Sequence, residues 1–521
     1  MKRTSLIKRL GCVALCLTML FSATGTAACQ KEAPNNETTI QLSYWNSGFG
    51  TKWLDNLIEK FELAYPEYDV YLEPTPAQSY FDTTIEYAND TTVDLYMTGA
   101  LSGNYSEYLE PMDDVLNFTH EGESKTIAEK MDSSVYQAIK AQDGKLYAVS
   151  YAGGLLSLAY DKSVIDGVKY QVPRTTDELV ELVIKLEADY RGVKKPFITF
   201  QGGGYWSYVY KTWLVQYNGM DFYYNDLLKL ETELGQPDKD MLLDQEKTTG
   251  RFQVLSLLEK LFNAKYVTED SANGQFSAQQ TKFLNGRAVM MPNGTWLYNE
   301  MSKTPGFNAD NAKFGIMKMP VISAIIDNLS TVEDDLELSD LIVEIDKAGA
   351  DVNAVPLNTA NYDVSKADME RVYEARNIIT STVDENSCMI PVYSNAKTAA
   401  KEFLKFMYKD QMIKEYSGIL RCLFPASLDS GEIDVSTWNG WEKDVYEMQS
   451  VCSFLPKAET ASKVLSAAGL YANGGTNASL MNPYSRFSAQ ENPWSAQKYW
   501  GKMQEIYEEN WKSYLSIAGI K

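Results

Sequence analysis

The chain has 521 residues and a formal net charge of −22, because 70 acidic residues outnumber 48 Lys and Arg residues. So negative a protein argues against nucleic acid as a partner and against direct adsorption to anionic lipid. The length exceeds what one hydrophobic core normally organises, which predicts two large domains.

Residues 1–28 have the order of charge, apolar core and small side chains that is typical of a secretory signal peptide. Four Lys and Arg residues precede a short apolar run, and Ala27 and Ala28 stand directly before Cys29. The apolar run is shorter than the roughly 20 residues of a membrane-spanning helix. The end of the segment resembles the lipobox of bacterial lipoproteins, although Thr26 stands where that motif usually has Leu. We therefore expect a lipoprotein that is cleaved before Cys29 and carries palmitate there, with cleavage without lipidation as the alternative.

After a polar tether at residues 29–38, the pattern alternates between strands and helices. Ile40, Leu42 and Tyr44 alternate with polar residues, which predicts a strand. The elements predicted next are a helix at 53–64, a strand beginning at Val70, a helical segment at 81–87 and a buried strand at 93–97. This order predicts parallel strands joined by right-handed crossovers, and ligands bind beyond the carboxyl ends of such strands. The loops that follow Tyr44 and Met97 are therefore candidate binding loops.

The same alternation continues through the rest of the chain. Strands are predicted at 146–150, 156–160, 197–200, 286–291 and 314–319, with helices beginning at Thr175 and Asn395. The glycine pair Gly153-Gly154 lies between the first two of these strands, which suits a crossing between domains. Residues 330–370 are acidic and helix-favouring and carry no chemical signature. No later segment is apolar for long enough to span a membrane.

Four local motifs occur along the chain: Tyr44-Trp45-Asn46 with the step Tyr65-Pro66-Glu67, Tyr147-Ala148-Val149 with Tyr160-Asp161-Lys162, Gly286-Arg287-Ala288-Val289-Met290 with Asn293-Gly294-Thr295-Trp296, and the run from Ala399 to Phe406. In this order they resemble the extracellular solute-binding proteins of ABC transporters, in the sugar-binding group that includes maltose-binding protein. The resemblance implies an α/β fold of two lobes, each a sheet flanked by helices. It also implies a chain that crosses between the lobes about three times, with a ligand cleft between them.

The resemblance assigns the chain to two lobes in alternating segments. Residues 39–152 and 322–425 are expected to form the N-terminal lobe, and residues 153–321 and 426–521 the C-terminal lobe. Residues 322–391 match the family pattern poorly and are interpreted as an insertion, which leaves the lobe boundary there open.

The function that the resemblance implies is carbohydrate capture at the extracellular face of the bacterial membrane. We expect a monomer, anchored through Cys29, that encloses an oligosaccharide by lobe closure and delivers it to the permease subunits of an ABC importer. The 34 Tyr and 10 Trp residues agree with this expectation, because aromatic faces pack against the C–H faces of sugars. Two alternatives stay open: a binding protein for a peptide or another polar solute, and a secreted carbohydrate-active enzyme.

Trp296 is the leading candidate for ligand binding, because it matches the tryptophan of the family motif and its ring can stack on a sugar. The other candidates follow strand ends or glycine-rich turns, and one lies near the C-terminus. The predicted ligand-binding residues are Trp45, Asn46, Ser47, Thr98, Asn104, Tyr151, Gly153, Tyr205, Trp206, Asn293, Trp296 and Trp494. For each of them the alternative is a structural role in a turn or in the core.

The sequence predicts no catalytic residue, no metal site and no cofactor. His120 is the single histidine, in a polar stretch interpreted as an exposed loop, which excludes His-Glu-x-x-His zinc chemistry and most catalytic triads. Glycines 202–204 lack the Lys-Ser/Thr of a phosphate loop, and Cys388, Cys422 and Cys452 have no Cys-x-x-Cys spacing. No spacing singles out a carboxylate pair among the 70 acidic residues, so a glycoside hydrolase stays open as the enzyme alternative.

Overall fold

The computed structural model describes most of the chain. The described residues are 35–46, 48–74, 81, 84–85, 92–98, 106–131, 133–138, 144–200, 205–224, 238–246, 249–271, 274–302, 304, 307, 313–383, 385–456 and 483–517. The predicted site residues Ser47 and Asn104 and the predicted lipidation residue Cys29 lie outside them. Within the described ranges, no helix combines the length and the apolar character that a bilayer crossing needs.

The described chain contains eleven strands, which form two separate sheets. The strands are β1 (Thr39–Tyr44), β2 (Asp69–Pro74), β3 (Leu95–Met97), β4 (Val149–Ser150), β5 (Leu155–Asp161), β6 (Lys195–Phe197), β7 (Ala288–Gly294), β8 (Phe314–Met317), β9 (Ile378–Ser381), β10 (Ser387–Met389) and β11 (Ser453–Pro456). We call the part of the chain around the first sheet the first lobe and the part around the second sheet the second lobe.

Helices flank both sheets. In chain order they are α1 (Lys52–Ala64), α2 (Asp113–Leu116), α3 (Ile127–Lys130), α4 (Ser133–Ala138), α5 (Thr176–Tyr190), α6 (Trp206–Asn218), α7 (Met220–Phe222), α8 (Asp240–Leu243), α9 (Thr249–Leu261), α10 (Phe276–Leu284), α11 (Leu297–Met301), α12 (Asp335–Ala348), α13 (Lys366–Arg376), α14 (Lys397–Met407), α15 (Asp410–Leu420), α16 (Gly440–Val451), α17 (Pro483–Phe487) and α18 (Ala496–Ile517). Short 3₁₀ helices lie at Ser106–Tyr108, Ser323–Asn328 and Val352–Ala354.

The first sheet has the strand order β2-β1-β3-β10-β4, in which the first three strands are parallel to one another. β1 pairs in parallel with β2 and β3, whereas β10 comes from much later in the chain and pairs antiparallel with β3 and β4. Every residue of β1 is buried, as expected for a parallel strand that is covered on both faces. α1 buries Trp53, Leu54, Leu57 and Phe61 at helical spacing and ends before Pro66. The strand and the helix predicted between residues 40 and 64 are confirmed.

The second sheet has the order β11-β9-β5-β7-β6, with β8 also paired to β5. β5 is antiparallel to β7, β8 and β9. β6 is parallel to β7, and β11 is parallel to β9. Because β5 leaves the first lobe, the other strands of this sheet run back toward it. Their carboxyl ends therefore face the first lobe, where open α/β sheets bind ligands.

Three segments of the described chain connect the two lobes. They join β4 to β5, β9 to β10, and α15 to α16. The first two run side by side: Thr382 N donates to the carbonyl oxygen of Gly154 at 2.9 Å, and Tyr151 N donates to the carbonyl oxygen of Asn386 at 2.9 Å. We call residues 151–154 together with 382–383 and 385–386 the hinge. Because these two connections are bonded to each other, they form one shared axis between the lobes.

Two large hydrophobic cores support this arrangement. One lies on the outer face of the second sheet, where Trp213 of α6, Leu258 of α9 and Val372 of α13 pack together. The other is continuous from the first lobe to the inner face of the second sheet, from Leu42 of β1 to Ile316 of β8. The second sheet is therefore buried on both faces.

The segment 322–381 packs with the second lobe, whereas the sequence assigned residues 322–425 to the N-terminal lobe. α12 and α13 bury Leu341 and Val372 in the outer core of the second lobe. β9 hydrogen-bonds to β5 and β11 in the second sheet, and the chain returns to the first sheet only at β10. The position of β9 between two second-lobe strands moves the boundary to the connection between β9 and β10.

His120 differs from its expected position in an exposed loop. The residue is 9% exposed, and its Nε2 lies 2.8 Å from the carbonyl oxygen of Lys405. Burial lowers the pKa of His120, so the imidazole is neutral at pH 7. Its role is to join the loop after α2 to α14.

Candidate functional site

A cavity of about 260 Å³ lies between the lobes beside the hinge. The first lobe contributes the loop after β1, and the second lobe contributes the segments that follow β6 and β7. The residues that line the cavity are Trp45, Asn46, Gly48, Phe49, Tyr205, Trp296, Glu300, Thr382, Glu385 and Asn386. Residues that follow β1 of the first sheet and β6, β7 and β9 of the second sheet therefore line one cavity.

The Trp296 ring rests on two glycines and lines the cavity. A Cβ at Gly154 would lie 2.5 Å from a carbon of the Trp296 ring, and a Cβ at Gly294 would lie 2.3 Å from another. No other residue fits at these two positions unless the ring moves. Tyr205 meets Trp296 edge-on, with ring centroids 5.6 Å apart and planes at 81°. The ring is thus fixed in one orientation, which is what a stacking platform for a flat apolar ligand face requires.

The loop after β1 brings the first lobe into contact with Trp296. Gly48 has φ of +95°, and a Cβ there would lie 3.3 Å from the Cβ of Trp296. The loop is tied by two bonds to Gly50, whose N donates to Asn46 Oδ1 at 2.8 Å and whose carbonyl accepts from the Tyr44 hydroxyl at 2.8 Å. Burial raises the pKa of Tyr44, so that its hydroxyl remains a donor. The first lobe therefore approaches the second at Gly48 as well as at the hinge.

Asn386 and Thr382 form the floor of the cavity. Asn386 Nδ2 donates to both the carbonyl oxygen and the hydroxyl oxygen of Thr382, each at 2.9 Å. The Thr382 hydroxyl oxygen also accepts from Gly154 N at 3.1 Å. The hinge thus presents side chains whose positions are set by its own hydrogen bonds.

Two carboxylates, Glu300 and Glu385, complete the lining. Glu300 lies one helical turn after Trp296, bonded by its N to the Trp296 carbonyl at 3.1 Å, and accepts from Gln280 Nε2 at 2.7 Å. Glu385 is half-buried in the hinge, where its N donates to the carbonyl oxygen of Thr382 at 3.0 Å. The cavity therefore combines aromatic faces with amide, hydroxyl and carboxylate groups.

The structure brings four of the predicted site residues to this cavity: Trp45, Asn46, Tyr205 and Trp296. They come from three separate loops: Trp45, Asn46 and Trp296 lie just beyond the end of a strand, whereas Tyr205 lies at the start of α6. Trp45 and Tyr205 are half-buried, Asn46 is exposed, and Trp296 is 8% exposed. Their ligand-binding role remains a prediction.

Four other predicted residues are buried away from the cavity. Tyr151 stacks on Trp53 in the first lobe, with ring centroids 5.6 Å apart. Trp206 lies in the outer core of the second lobe. Asn293 is fully buried in β7, and Thr98 is fully buried with its N bonded to the Ser387 carbonyl. None of the four lines this cavity, and their ligand-binding role stays a prediction.

Gly153 and Trp494 lie elsewhere. Gly153 lines a larger cavity, about 540 Å³, beyond the hinge. There Gln449 Nε2 donates to the Gly153 carbonyl at 3.2 Å, and Gln449 Oε1 accepts from Leu423 N, so the amide joins two connections between the lobes. Trp494 packs in the second lobe, with the Arg486 guanidinium 4.3 Å from its ring centroid. Neither residue lines the cavity beside Trp296.

Sequence reasoning missed six lining residues: Gly48, Phe49, Glu300, Thr382, Glu385 and Asn386. Sequence signals could have found two of them. Glu300 stands four residues after Trp296, so it lies on the same face of the following helix. Thr382 directly follows the buried run Ile378–Ser381, where a strand end is expected. Among the described residues, no group of three or more His, Cys, Asp or Glu side chains has a geometry suited to a metal ion.

The sequence and the fold both match known proteins. The family model described as bacterial extracellular solute-binding protein matches residues 56–444, well over half of the chain. A search of curated protein sequences finds no match.

Solved structures share the fold at low sequence identity. The bacterial solute receptor AcbH, described with an exclusive preference for β-D-galactopyranose, is 14% identical with a TM-score of 0.57, over 92% of this chain and 98% of that one. Maltose-bound MalE3 of T. maritima is 14% identical with a TM-score of 0.57, over 91% of this chain and 99% of that one. The GacH receptor of Streptomyces glaucescens, solved unliganded and with acarbose, is 15% identical with a TM-score of 0.55, over 92% and 99%. At these identities the similarity establishes a shared fold.

Proposed function

The chain belongs to the bacterial extracellular solute-binding proteins, and from that premise we propose that it captures an oligosaccharide and delivers it to the permease subunits of an ABC importer. In this proposal a lipid on Cys29 holds the protein at the outer face of the membrane. The polar leader that follows keeps it near the permease, which raises the effective concentration of the receptor there. The protein binds its ligand without chemical turnover.

The observation that carries the proposal is the composition of the cavity between the lobes. Trp45, Tyr205 and Trp296 offer aromatic faces for the apolar side of a sugar ring. Asn46, Thr382 and the two carboxylates offer hydrogen-bonding groups for its hydroxyls. The ligands of the structural neighbours (galactopyranose, maltose and acarbose) support a carbohydrate over a peptide.

Lobe closure is the proposed mechanism. The hinge is one bonded axis, and Gly48 of the first lobe reaches Trp296 of the second across the cavity. A ligand held there is covered from both sides, so water is excluded and each polar contact becomes stronger. Closure also changes the outer shape of the protein, which gives the permease a means to distinguish the loaded receptor.

The experiment is a thermal-shift screen of the mature protein against oligosaccharides of varied linkage. A ligand that binds only the folded state raises the melting temperature. We expect stabilisation by at least one saccharide, loss of that shift in Trp296→Leu, and an unchanged shift in Trp494→Leu. Trp494 is the matched control, because it is a half-buried tryptophan of the same lobe that does not line the cavity.

Two results would contradict the proposal. Stabilisation by no saccharide, in protein stripped of co-purified ligand by refolding, would remove the carbohydrate assignment. Release of shorter products from a bound oligosaccharide, detected by chromatography after long incubation, would indicate an enzyme instead of a receptor.

A further inference from the structure

We propose that helix α16 fixes the orientation of the Trp296 ring, with Trp441 and Gln449 as its positioning residues. The inference rests on the proposed function, since it names side chains that prepare the same cavity for its ligand from outside the cavity lining. Trp441 lies in the first turn of α16, and Gln449 lies in the last. The two side chains bond to backbone groups on two sides of the ring.

The spacing along α16 places three side chains on one face of the helix. Trp441, Val445 and Gln449 follow one another at intervals of four residues, which is about one helical turn. Trp441 and Val445 are buried, whereas Gln449 is half-buried. Between residues 441 and 449 the helix rises about 12 Å. This face therefore carries an indole N–H at one end and an amide at the other, far enough apart to reach two different segments.

At its first turn, α16 bonds to the segment that carries Trp296. Trp441 Nε1 donates at 3.3 Å to the carbonyl oxygen of Thr295, which belongs to the peptide group that joins Thr295 to Trp296. The Trp441 ring also stacks on Tyr298, with ring centroids 6.0 Å apart and planes at 24°. The Tyr298 hydroxyl accepts from Nδ2 of Asn439, the N-cap of α16, at 2.9 Å. The start of α16 thus holds residues on both sides of Trp296 in the chain.

At its last turn, α16 bonds to the glycine segment against which the ring packs. Gln449 Nε2 donates to the carbonyl oxygen of Gly153 at 3.2 Å. That carbonyl shares a peptide group with Gly154 N, which donates to the Thr382 hydroxyl oxygen at 3.1 Å. Gly154 is the glycine that leaves room for the Trp296 ring. We call the peptide groups 153–154 and 295–296 the two supports of the ring, and α16 bonds to both.

The middle and the end of α16 connect these supports to the rest of the molecule. Asp444 pairs with Lys162 at 2.8 Å and accepts from Ile316 N at 3.3 Å, so the helix is attached to β8 of the second sheet. Gln449 Oε1 accepts at 2.8 Å from Leu423 N, in the connection between α15 and α16. When the lobes rotate about the hinge, a movement of this connection is passed to both supports through one helix.

The consequence for binding follows from pre-organisation. Immobilising a side chain on binding costs free energy, so a ring that is fixed before the ligand arrives binds more tightly than one that the ligand must order. Loss of one neutral hydrogen bond changes an equilibrium constant by about fivefold. A bond that α16 makes to either support should therefore affect ligand affinity by about that factor.

Conservative variants remove one bond at each end of α16. Trp441→Phe keeps an aromatic ring and removes the donor to the Thr295 carbonyl. Gln449→Glu keeps an acceptor for Leu423 N and removes the donor to the Gly153 carbonyl. Each variant should bind saccharide about fivefold more weakly than the unchanged protein.

Two measurements follow the variants. Calorimetric titration of the mature protein with D-galactose, maltose and acarbose gives the affinities. The second measurement needs no ligand: in protein labelled with ¹⁵N-tryptophan, the indole N–H resonance of Trp296 is identified by its loss in Trp296→Phe. Both variants should shift this resonance, because a support of the ring has lost a bond.

The same segment offers matched controls. Trp438→Phe removes a buried indole N–H three residues before Trp441, and its Nε1 has no hydrogen-bond partner among the described residues. Lys443→Gln makes the net charge more negative by one, as Gln449→Glu does, at an exposed position of α16. Neither control should change the affinity or the Trp296 resonance.

The outcomes separate the inference from the proposed function. An unmoved Trp296 resonance in Trp441→Phe or Gln449→Glu would overturn the inference, and so would an equal shift in the matching control. Unchanged affinity of both variants for a saccharide that the unchanged protein binds would overturn it as well. If the unchanged protein binds none of the saccharides while the resonance moves as expected, the carbohydrate function is contradicted and the positioning of the ring by α16 stands.

Discussion

Trp206 and Trp296 occupy matching places in the second sheet but have different surroundings. Each stands at the start of a helix that follows one of two neighbouring parallel strands, β6 and β7. Trp206 meets Phe262 edge-on, with ring centroids 4.2 Å apart, and is 2% exposed within the outer core. Trp296 meets Tyr205 edge-on at 5.6 Å and lies against the first lobe.

A position after a strand does not by itself determine whether a tryptophan lines a ligand cavity. The residues that pack against its ring determine this. Large apolar partners from α6 and α9 enclose Trp206, whereas glycine backbones at Gly154 and Gly294 leave room for the flat ring of Trp296 at the lobe interface. The two glycines therefore allow Trp296 to line the cavity, whereas Trp206 at the matching position belongs to the core.

The largest expected effect comes from truncation of the two tryptophans. Trp206→Ala should lower the free energy of unfolding by about 3–5 kcal/mol, because it leaves a large void in a packed core. The folded fraction of that variant should bind saccharide with unchanged affinity. Trp296→Ala should abolish binding at a smaller cost in stability. Urea denaturation and calorimetric titration of both variants measure the two quantities, and a folded Trp206→Ala protein that binds nothing would break the comparison.

The second prediction tests the contact between Gly154 and the Trp296 ring by a double-mutant cycle. Gly154→Ala should cost about 1–3 kcal/mol of stability, because its Cβ would enter the Trp296 ring. In a Trp296→Ala background the cost should fall to a few tenths, and the coupling energy measures the contact.

Gly418→Ala is the control for the cycle. Gly418 lies within α15 with no atom within 4 Å of the position of a Cβ, so this change should stabilise the helix by up to about 1 kcal/mol. An equal cost for Gly154→Ala with and without the Trp296 ring would show that the glycine is required for another reason.

Local patterns predict much of this molecule. The alternation of Ile40, Leu42 and Tyr44 and the helical spacing of Trp53 to Phe61 predict β1 and α1, because each element buries one side along its own period. The family resemblance extends this to two lobes, and it places Trp45 and Trp296 beyond strand ends. These are the residues that the structure brings to one cavity.

What the sequence leaves open depends on contacts between distant segments. Residues 322–391 look like an insertion in sequence. The pairing of β9 with β5 and the packing of α12 and α13 in the outer core place residues 322–381 of this segment in the second lobe. Thr382 and Asn386 reach the cavity because the hinge connections bond to each other across more than two hundred residues. Trp206 follows a glycine-rich segment, as a binding residue would, and only its packing against Phe262, directly after α9, shows that it belongs to the core. The hydrophobic periodicity of a local segment does not predict these contacts between distant residues.

The smallest expected effect concerns the rings that meet the two tryptophans edge-on. Tyr205 lies at 81° to Trp296, and Phe262 lies at 78° to Trp206, so the two pairs have nearly the same geometry. An aromatic pair of this kind contributes about 0.5–1.5 kcal/mol beyond its buried area.

Tyr205 is half-buried, whereas Phe262 is fully buried. Tyr205→Leu should therefore lower the free energy of unfolding by at most about 1 kcal/mol and weaken saccharide binding about tenfold. Residue 205 has a positive φ of 24°, and leucine carries a Cβ as tyrosine does, so the backbone strain is comparable and the main change is the loss of the ring. Phe262→Leu should show the reverse: a larger loss of stability, measured by urea denaturation, with unchanged affinity. Equal stability losses with no change in affinity would mean that both rings are core, and the distinction between the two tryptophans would then rest on Trp296 alone.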